Sequence, residues 1–432
     1  MLHKRFQLGL IHVAVAMTLV PINSTLNRVM IHELGIDAAL FAILASVPYL
    51  FSPLQVAIGS YSDRHPLFGL RRTPYIVLGL LLCVAGVAVS PQIAFLIVEH
   101  PGLGMLAATL AFGAWGMGYN LSTVSYLSLA SEISGQEEHG KTVATMWVMM
   151  IVSVILTAIG LGRMVDPYTP QALQNAFWMV GAAALVIGLI GLARLEGSPG
   201  DEKLLPAKNY SFKEMVAVIL QSRQATLFFW YLILLLIALL GQDLLLEPFA
   251  AQRFGMTVRQ TTTITSIWGT AALVTMLVAG ALERRAPRKL LAQIGNIAAL
   301  AGFLLILLSG FTASVGIFYL GVVVLGAGTG LSTVANLALM FDLTVPGYMG
   351  LFIGAWGVAN AYSRLTANLM AGVVRDGVTG IARDPLTGYL VVFGIEAALL
   401  AIAIAMLLLI NAKTFYKQVE IPSALERAAL AD

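Results

Sequence analysis

The sequence predicts an all-α polytopic membrane protein with twelve transmembrane helices in two six-helix bundles. Three observations carry this. Of the 432 residues, 59% are hydrophobic and only 11% are charged, and the mean hydropathy is +0.87. A soluble chain of this length needs far more charge to cover its surface. The apolar residues fall into twelve runs, each near the roughly 20 residues that cross a bilayer core of about 30 Å. One long polar connection, roughly 195–225 and beginning LEGSPGDEKLLPAKN, follows the sixth run and divides the chain in two.

In order, the runs occupy 9–30, 38–59, 73–97, 105–131, 141–162 and 174–194, then 226–247, 260–281, 290–310, 316–341, 348–372 and 388–411. The first follows a basic start, MLHKR, as a signal peptide would. No small-x-small cleavage site follows it, and the run is long enough to span, so it is read as an uncleaved helix. Pro248 is expected to stop the seventh. The domains are then an N-terminal bundle over 1–195, a cytoplasmic linker over 196–225, a C-terminal bundle over 226–412 and a cytoplasmic tail over 413–432. Lys and Arg set the orientation. With the N-terminus inside, eighteen of the 25 lie in cytoplasmic segments, six lie outside, and Arg364 lies within a helix. That positive-inside asymmetry puts both termini in the cytoplasm.

Other classes are excluded. A net charge of +3, scattered along the chain, does not suit nucleic acid. Cys83 is the single cysteine, so neither an intramolecular disulfide nor a cysteine metal cluster is available. There is no Ser-His-Asp grouping, metal spacing or nucleotide motif. The run GAGTG at 326–330 lacks a preceding strand and a following Lys-Ser/Thr, and reads as close helix packing. Nothing supports an enzyme.

The halves echo each other. LSTVSYLSLASE at 121–132 returns as LSTVANLALMFD at 331–342. Each copy follows a glycine pair (Gly116 and Gly118; Gly328 and Gly330) and ends on a carboxylate, Glu132 or Asp342. The copies close the fourth and tenth spans, the same place in each half. GSYSDR after the second span and GALERR after the eighth form a weaker echo. Two homologous six-helix units related by an axis along the membrane normal would place these segments equivalently.

The loop GSYSDRHPLFGLRRTPYI resembles the G-x-x-x-D-R-x-G-R-R loop of the major facilitator superfamily, with Gly59, Asp63, Arg64, Arg71 and Arg72 at the matching positions. It departs in spacing: Asp63 and Arg71 are eight apart rather than four, and Pro66 sits in the insertion. SDRHPLFGLRRTPYI, INSTLNRVMIHELGI and GQDLLLEPFAAQRFGM together resemble the bacteriochlorophyll-delivery (PucC/LhaA-type) branch, over essentially all twelve spans. The resemblance implies an assembly factor for (bacterio)chlorophyll-binding light-harvesting or photosystem proteins, one that holds or delivers pigment. It implies chlorophyll or bacteriochlorophyll as ligand. The partners it implies are membrane lipid, antenna or photosystem polypeptides and pigment-synthesis enzymes. The location it implies is the inner (cytoplasmic, intracytoplasmic or thylakoid) membrane of a photosynthetic bacterium. It also implies that spans 1, 4, 7 and 10 line a central cavity, and that Asp63 meets the N-terminus of the eleventh span near Tyr348 to Leu351.

Several polar residues are candidates for cavity, pigment or partner binding. Asn23 and Asn27, four apart after Pro21, face either a cavity or a neighbouring helix. Ser122, Thr123 and Tyr126 share a helical face and are matched by Ser332, Thr333 and Asn336. They read either as a polar strip on the cavity wall or as side chains bonded to their own helix carbonyls. Asp243 and Glu247 are four apart at the outward end of the seventh span. Like charges repel there, so one keeps a proton or Arg253 neutralises them. The readings are proton coupling, a magnesium ligand for a chlorin, a docking point, or a wet helix end. His12 is the one histidine well within a span, and an imidazole can ligate magnesium, although such a residue is commonly interfacial. Arg364 and Glu396 each lie eight residues, about 12 Å, below the outer surface, so a structural ion pair between them is expected. The rival to the assembly factor is a proton-coupled secondary transporter of a small molecule, which needs fixed charges near mid-membrane. Spans 1, 4, 7 and 10 are read as having none near their centres, which favours an apolar cargo or a scaffold.

Overall fold

The computed structural model describes residues 2–52, 54, 58, 61, 62, 65–196, 223–282, 285–342 and 349–410, with backbone alone at 135–140, 341, 342 and 349–354. Among these residues the fold is all-α, and nine helices are long and apolar enough to cross a membrane. The elements are α1 (Leu2–Met17), α2 (Ala38–Leu50), α3 (Thr73–Glu99), α4 (Pro101–Met164), α5 (Pro170–Leu192), α6 (Arg223–Phe254), α7 (Val258–Leu282), α8 (Arg288–Thr312), α9 (Val315–Asp342), α10 (Met349–Ala382) and α11 (Pro385–Leu409).

The first span does not stop with α1. It continues through two wider-wound segments, Pro21–Leu26 and Val29–Glu33, where an N–H reaches the carbonyl five residues back, as Leu34 N–H does to Val29 O at 3.0 Å. Such winding is rare and concentrates at functional sites. Gly35, at φ 65°, ends the span and lets Ile36 N–H close on Met30 O at 2.8 Å, the reversal that a left-handed glycine allows.

α4 holds both the fourth and fifth spans. Its helical winding is continuous over Pro101–Met164, yet Ser134 Oγ donates to Thr142 Oγ1 across 2.8 Å. Eight residues of straight helix would separate them by about 12 Å. The chain therefore folds back between these residues.

Two expected boundaries are corrected. Pro248 does not stop the seventh span, because α6 continues to Phe254. A mid-helix proline leaves the carbonyl four residues back without its donor; here that carbonyl, Leu244 O, accepts from Asn27 Nδ2 at 2.6 Å. The same remedy serves Pro91 in α3, where Ser90 Oγ donates to Val87 O at 2.9 Å. The eleventh span also runs on, to Ala382, and α11 starts at Pro385 beneath an Asp384 cap. Arg364 and Glu396 thus lie near the middles of their helices, deeper than the sequence count suggested.

The repeat is, first, a packing joint. A methyl on Gly118 would lie 2.5 Å from Gly79 O, and one on Gly79 would lie 2.6 Å from Gly118 O. In the second half, a methyl on Gly328 would lie 2.7 Å from Gly295 O, and one on Gly295 would lie 2.6 Å from Ser332 N. In each half a Gly-x-x-x-Ser row presses onto a glycine of the preceding helix, the small-residue packing common in membranes.

The halves meet along one end. Gly372 brings α10 onto the backbone of α2, where a methyl would lie 2.7 Å from Ala38 O, and Asp376 Oδ2 accepts from Ala39 N–H at 2.6 Å. α4 meets α7, with Ser266 Oγ donating to Ile155 O at 3.3 Å. The first span adds Thr25 to Thr262 at 3.3 Å and Arg28 Nη2 to Met256 O at 3.1 Å. Arg28 also pairs with Glu33.

Near the start of α3, Glu196 accepts from the N–H groups of Arg71 (2.7 Å), Arg72 (2.9 Å) and Thr73 (2.7 Å). The buried Arg72 guanidinium pairs with Glu132 at 2.8 Å, so the carboxylate that ends the first repeat copy holds this loop. Gly59, Asp63 and Arg64 lie outside the described residues, as do Tyr348, most of the linker and the tail.

Candidate functional site

A cavity of about 390 Å³ lies between the halves, bordered by the first span, α4, α6, α7, α9 and α10. Its walls are mostly apolar: Leu232, Leu235 and Leu239 of α6 face Met150, Ile151 and Val154 of α4, with the indoles of Trp147, Trp268 and Trp356 around them. Polar side chains are few. They come from the first span (Asn23, Ser24), α6 (Gln242, Asp243, Glu247), α7 (Thr265), α9 (Thr329, Ser332, Thr333, Asn336) and α10 (Asn360, Arg364).

Glu247 is the centre of one cluster. It is 3% exposed, and its Oε1 accepts from Ser24 Oγ and from Thr265 Oγ1, both at 2.6 Å. Its Oε2 is buried with no partner among the described residues. One carboxyl thus ties the first half to α6 and α7. Asn27 sits behind it, fully buried, bonded to Leu244 O rather than lining the cavity; Asn23 does line it.

Asp243 and Glu247 do not share a counter-ion. Arg253, expected to neutralise them, donates Nε to Gly310 O at 2.8 Å. Asp243 Oδ2 instead accepts from Arg364 Nη1 at 3.0 Å, and Gln242 donates to Asp243 Oδ1 at 2.5 Å. The expected Arg364–Glu396 pair is therefore not formed. The sequence count assumed that consecutive antiparallel helices share their charges, but α10 also packs directly against α6, and Arg364 pairs with that helix. Glu396 is left fully buried with neither oxygen partnered among the described residues, packed where a methyl on Gly241 would touch it. Because α6 runs on to Phe254, Asp243 and Glu247 lie within the helix rather than at its end, and with Arg364 of α10 they put three charged residue types at the cavity.

The two repeat copies part company here. Ser332, Thr333 and Asn336 line the cavity, whereas Ser122, Thr123 and Tyr126 do not. Ser122 Oγ donates to Ile76 O at 3.3 Å, and the Tyr126 ring lies 5.1 Å from that of His12. In the second half the strip is a closed network. Ser332 Oγ donates to Asn296 Oδ1 at 2.6 Å, Asn296 Nδ2 to Tyr231 OH at 2.9 Å, and Tyr231 OH to Asn336 Oδ1 at 2.6 Å. His12 is walled in by Tyr126 and Trp147 and does not border the cavity. Among the described residues no three His, Cys, Asp or Glu are grouped to hold a metal ion.

Sequence reasoning missed Ser24, Gln242, Thr265, Asn360 and the three indoles. Ser24 stood between the two asparagines that were singled out, and Thr265 stood in the hydroxyl run TTTITS; both could have been read as partners for a buried carboxylate.

Solved structures with this fold include a point mutant of the nucleoside transporter NupG, with TM-score 0.73 and 14% identity, covering 96% of this chain and 99% of that one. A D-xylose–proton symporter gives TM-score 0.71 at 13% identity, covering 94% and 97%. Both are major facilitator transporters, so the chain has that fold. Among curated proteins, Protein PucC of Cereibacter sphaeroides is 32% identical over 424 residues, 94% of this chain and 92% of that one. Protein PucC of Rhodobacter capsulatus is 31% identical over 427 residues, 94% and 91%. The bacteriochlorophyll synthase 44.5 kDa chain of Rhodobacter capsulatus is 28% identical over 422 residues, 93% and 94%. The PUCC protein family model matches residues 25–415, and the chain belongs to that family.

Proposed function

We propose that this protein is an assembly factor for (bacterio)chlorophyll-binding antenna or photosystem proteins, in the inner membrane of a photosynthetic bacterium with both termini cytoplasmic. It holds pigment in the cavity between its halves for delivery to a client polypeptide. Support from relatives is the bacteriochlorophyll named in one of them. The observation that carries the reading is the cavity itself, an apolar chamber walled by leucines and three indoles, with its polar groups drawn from few positions. A flat macrocycle is suited to aromatic faces at ring-stacking distance. Asp243, Glu247, Asn23 and Asn360 are among the cavity's oxygen-bearing side chains of the type a magnesium ion accepts.

Absorption of the protein purified in mild detergent, with its co-purifying polypeptides identified, tests this. Chlorin bands together with an antenna or photosystem polypeptide are the expected result. A second reading, proton-coupled transport of a small molecule, rests on the charges of Asp243, Glu247 and Arg364 at the cavity. Purified protein free of chlorin, antenna polypeptide and pigment enzyme decides for it.

A further inference from the structure

We propose that Arg364 reads a neutral carbonyl oxygen of the ligand, so that the cavity takes a large apolar molecule bearing a ketone or ester in preference to the corresponding free acid. The assignment rests on the pigment reading for the choice of test ligand only.

Arg364 borders the cavity with 29% of its side chain exposed. Nη1 donates to Asp243 Oδ2 at 3.0 Å, and Cζ lies 5.7 Å from the Tyr49 ring centroid. Asp243 and Tyr49 are its partners among the described residues. A guanidinium carries five N–H donors, more than the contacts with Asp243 and Tyr49 use, and the group borders a mostly apolar chamber. Unfilled donors in an apolar chamber favour a ligand that brings acceptors.

Charge decides which acceptor. Asp243 already cancels the guanidinium, and the Glu247 carboxyl borders the same space. A ligand carboxylate on the same N–H groups would bring a second negative charge beside Asp243 with no further cation to compensate it in a poorly solvated site. A ketone or ester oxygen accepts from the free N–H groups and leaves the Asp243 pair intact. The three indoles hold the apolar body while Arg364 orients its oxygen-bearing edge.

The test uses the full chain in detergent and one chlorin prepared as its methyl ester and as its free acid, with quenching of indole fluorescence as the readout. The wild type should bind the ester about tenfold more tightly than the acid, and Arg364→Leu should bring the two within about twofold. Asp243→Asn, which keeps a hydrogen-bonding side chain beside Arg364 and so guards against misfolding of the leucine variant, uncovers the positive charge. It should shift the preference toward the acid by about tenfold, a change that a merely structural role for Arg364 would not produce. Equal binding of ester and acid by the wild type, or an unmoved ratio in Asp243→Asn, overturns the assignment while leaving the pigment reading standing. Absence of binding by either form in every variant overturns both.

Discussion

Asn27 and Pro248 form one unit, and removing either changes what the other is worth. The Leu244 carbonyl cannot receive its helical hydrogen bond because residue 248 is proline, so Asn27 Nδ2 supplies it from the other half of the molecule at 2.6 Å. Replacing Asn27 with Leu, of the same branching but without polar atoms, leaves that buried carbonyl without a donor, a cost of about 1–3 kcal/mol. Part is offset, because Asn27 Oδ1 is itself buried and unpartnered among the described residues. A net loss of about 1–2 kcal/mol is therefore expected. In a Pro248→Ala background the N–H restored at that position reaches Leu244 O, and the same Asn27→Leu change should cost at least about 1 kcal/mol less. Equilibrium unfolding in mixed micelles, followed by helical circular dichroism, measures all four corners of the cycle. An Asn27→Leu loss of equal size in both backgrounds would refute the claim that the asparagine is there to serve the carbonyl freed by the proline.

Other variants test the remaining contacts. Gly118→Ala and Gly328→Ala should each destabilise by about 2–3 kcal/mol or prevent folding, since the new methyl meets a backbone carbonyl at 2.5 Å and 2.7 Å respectively. Gly113→Ala, with nothing within 4 Å, should gain about 0.5–1 kcal/mol in the same assay. Asp243→Asn and Arg364→Leu should show a coupling of about 1–2 kcal/mol in a double-mutant cycle, larger than that of Arg364→Leu with Glu396→Leu; the reverse order would restore the ion pair expected from sequence. Burial works to raise the Glu196 carboxyl, but the hydrogen bonds from Thr73, Arg72 and Arg71 outweigh it and hold the group below its usual value. A depressed carboxylate stabilises the fold above its unfolded pKa of about 4.3 and ceases to as pH falls through its folded value. Thermal stability of the wild type should therefore fall on acidification below about pH 4 more steeply than that of Glu196→Gln, and parallel curves would count against the cap.

The helices were legible because the bilayer imposes length and apolarity on each run, and α3, α5, α7 and α8 fall close to where hydropathy placed them. The ends were less so. Hydropathy marks where a helix becomes polar, not where it stops, so α10 continues past residue 372 on its own hydrogen bonds to Ala382. Pro248 misled because a proline's effect depends on whether another side chain adopts the orphaned carbonyl, and Asn27 lies 217 residues away in sequence from that carbonyl. The site was half visible. Asp243, Glu247, Asn23 and the second repeat copy were singled out and border the cavity, but their partners were not, because pairing is set by how the helices turn. Sequence adjacency pointed Arg364 to Glu396, but α10 packs on α6 as well as on α11, and it is Asp243 of α6 that pairs with the guanidinium.

The repeated Gly-x-x-x-Ser joint has a consequence for handedness. What the two halves hold in common is carpentry, a glycine row seated on a glycine, while the chemistry beside it differs: Ser122 and Tyr126 are turned away where Ser332 and Asn336 look in. The frame is nearly two-fold and its lining is not. A cargo entering the chamber meets hydroxyls and amides from α9 on one flank and the leucines, methionine and indole of α6 and α4 on others, so turning it through the frame's own symmetry axis does not restore its contacts. If the chamber holds pigment as proposed, a near-symmetric frame with an asymmetric lining would give an asymmetric cargo one orientation, and a receiving partner would meet the same edge each time.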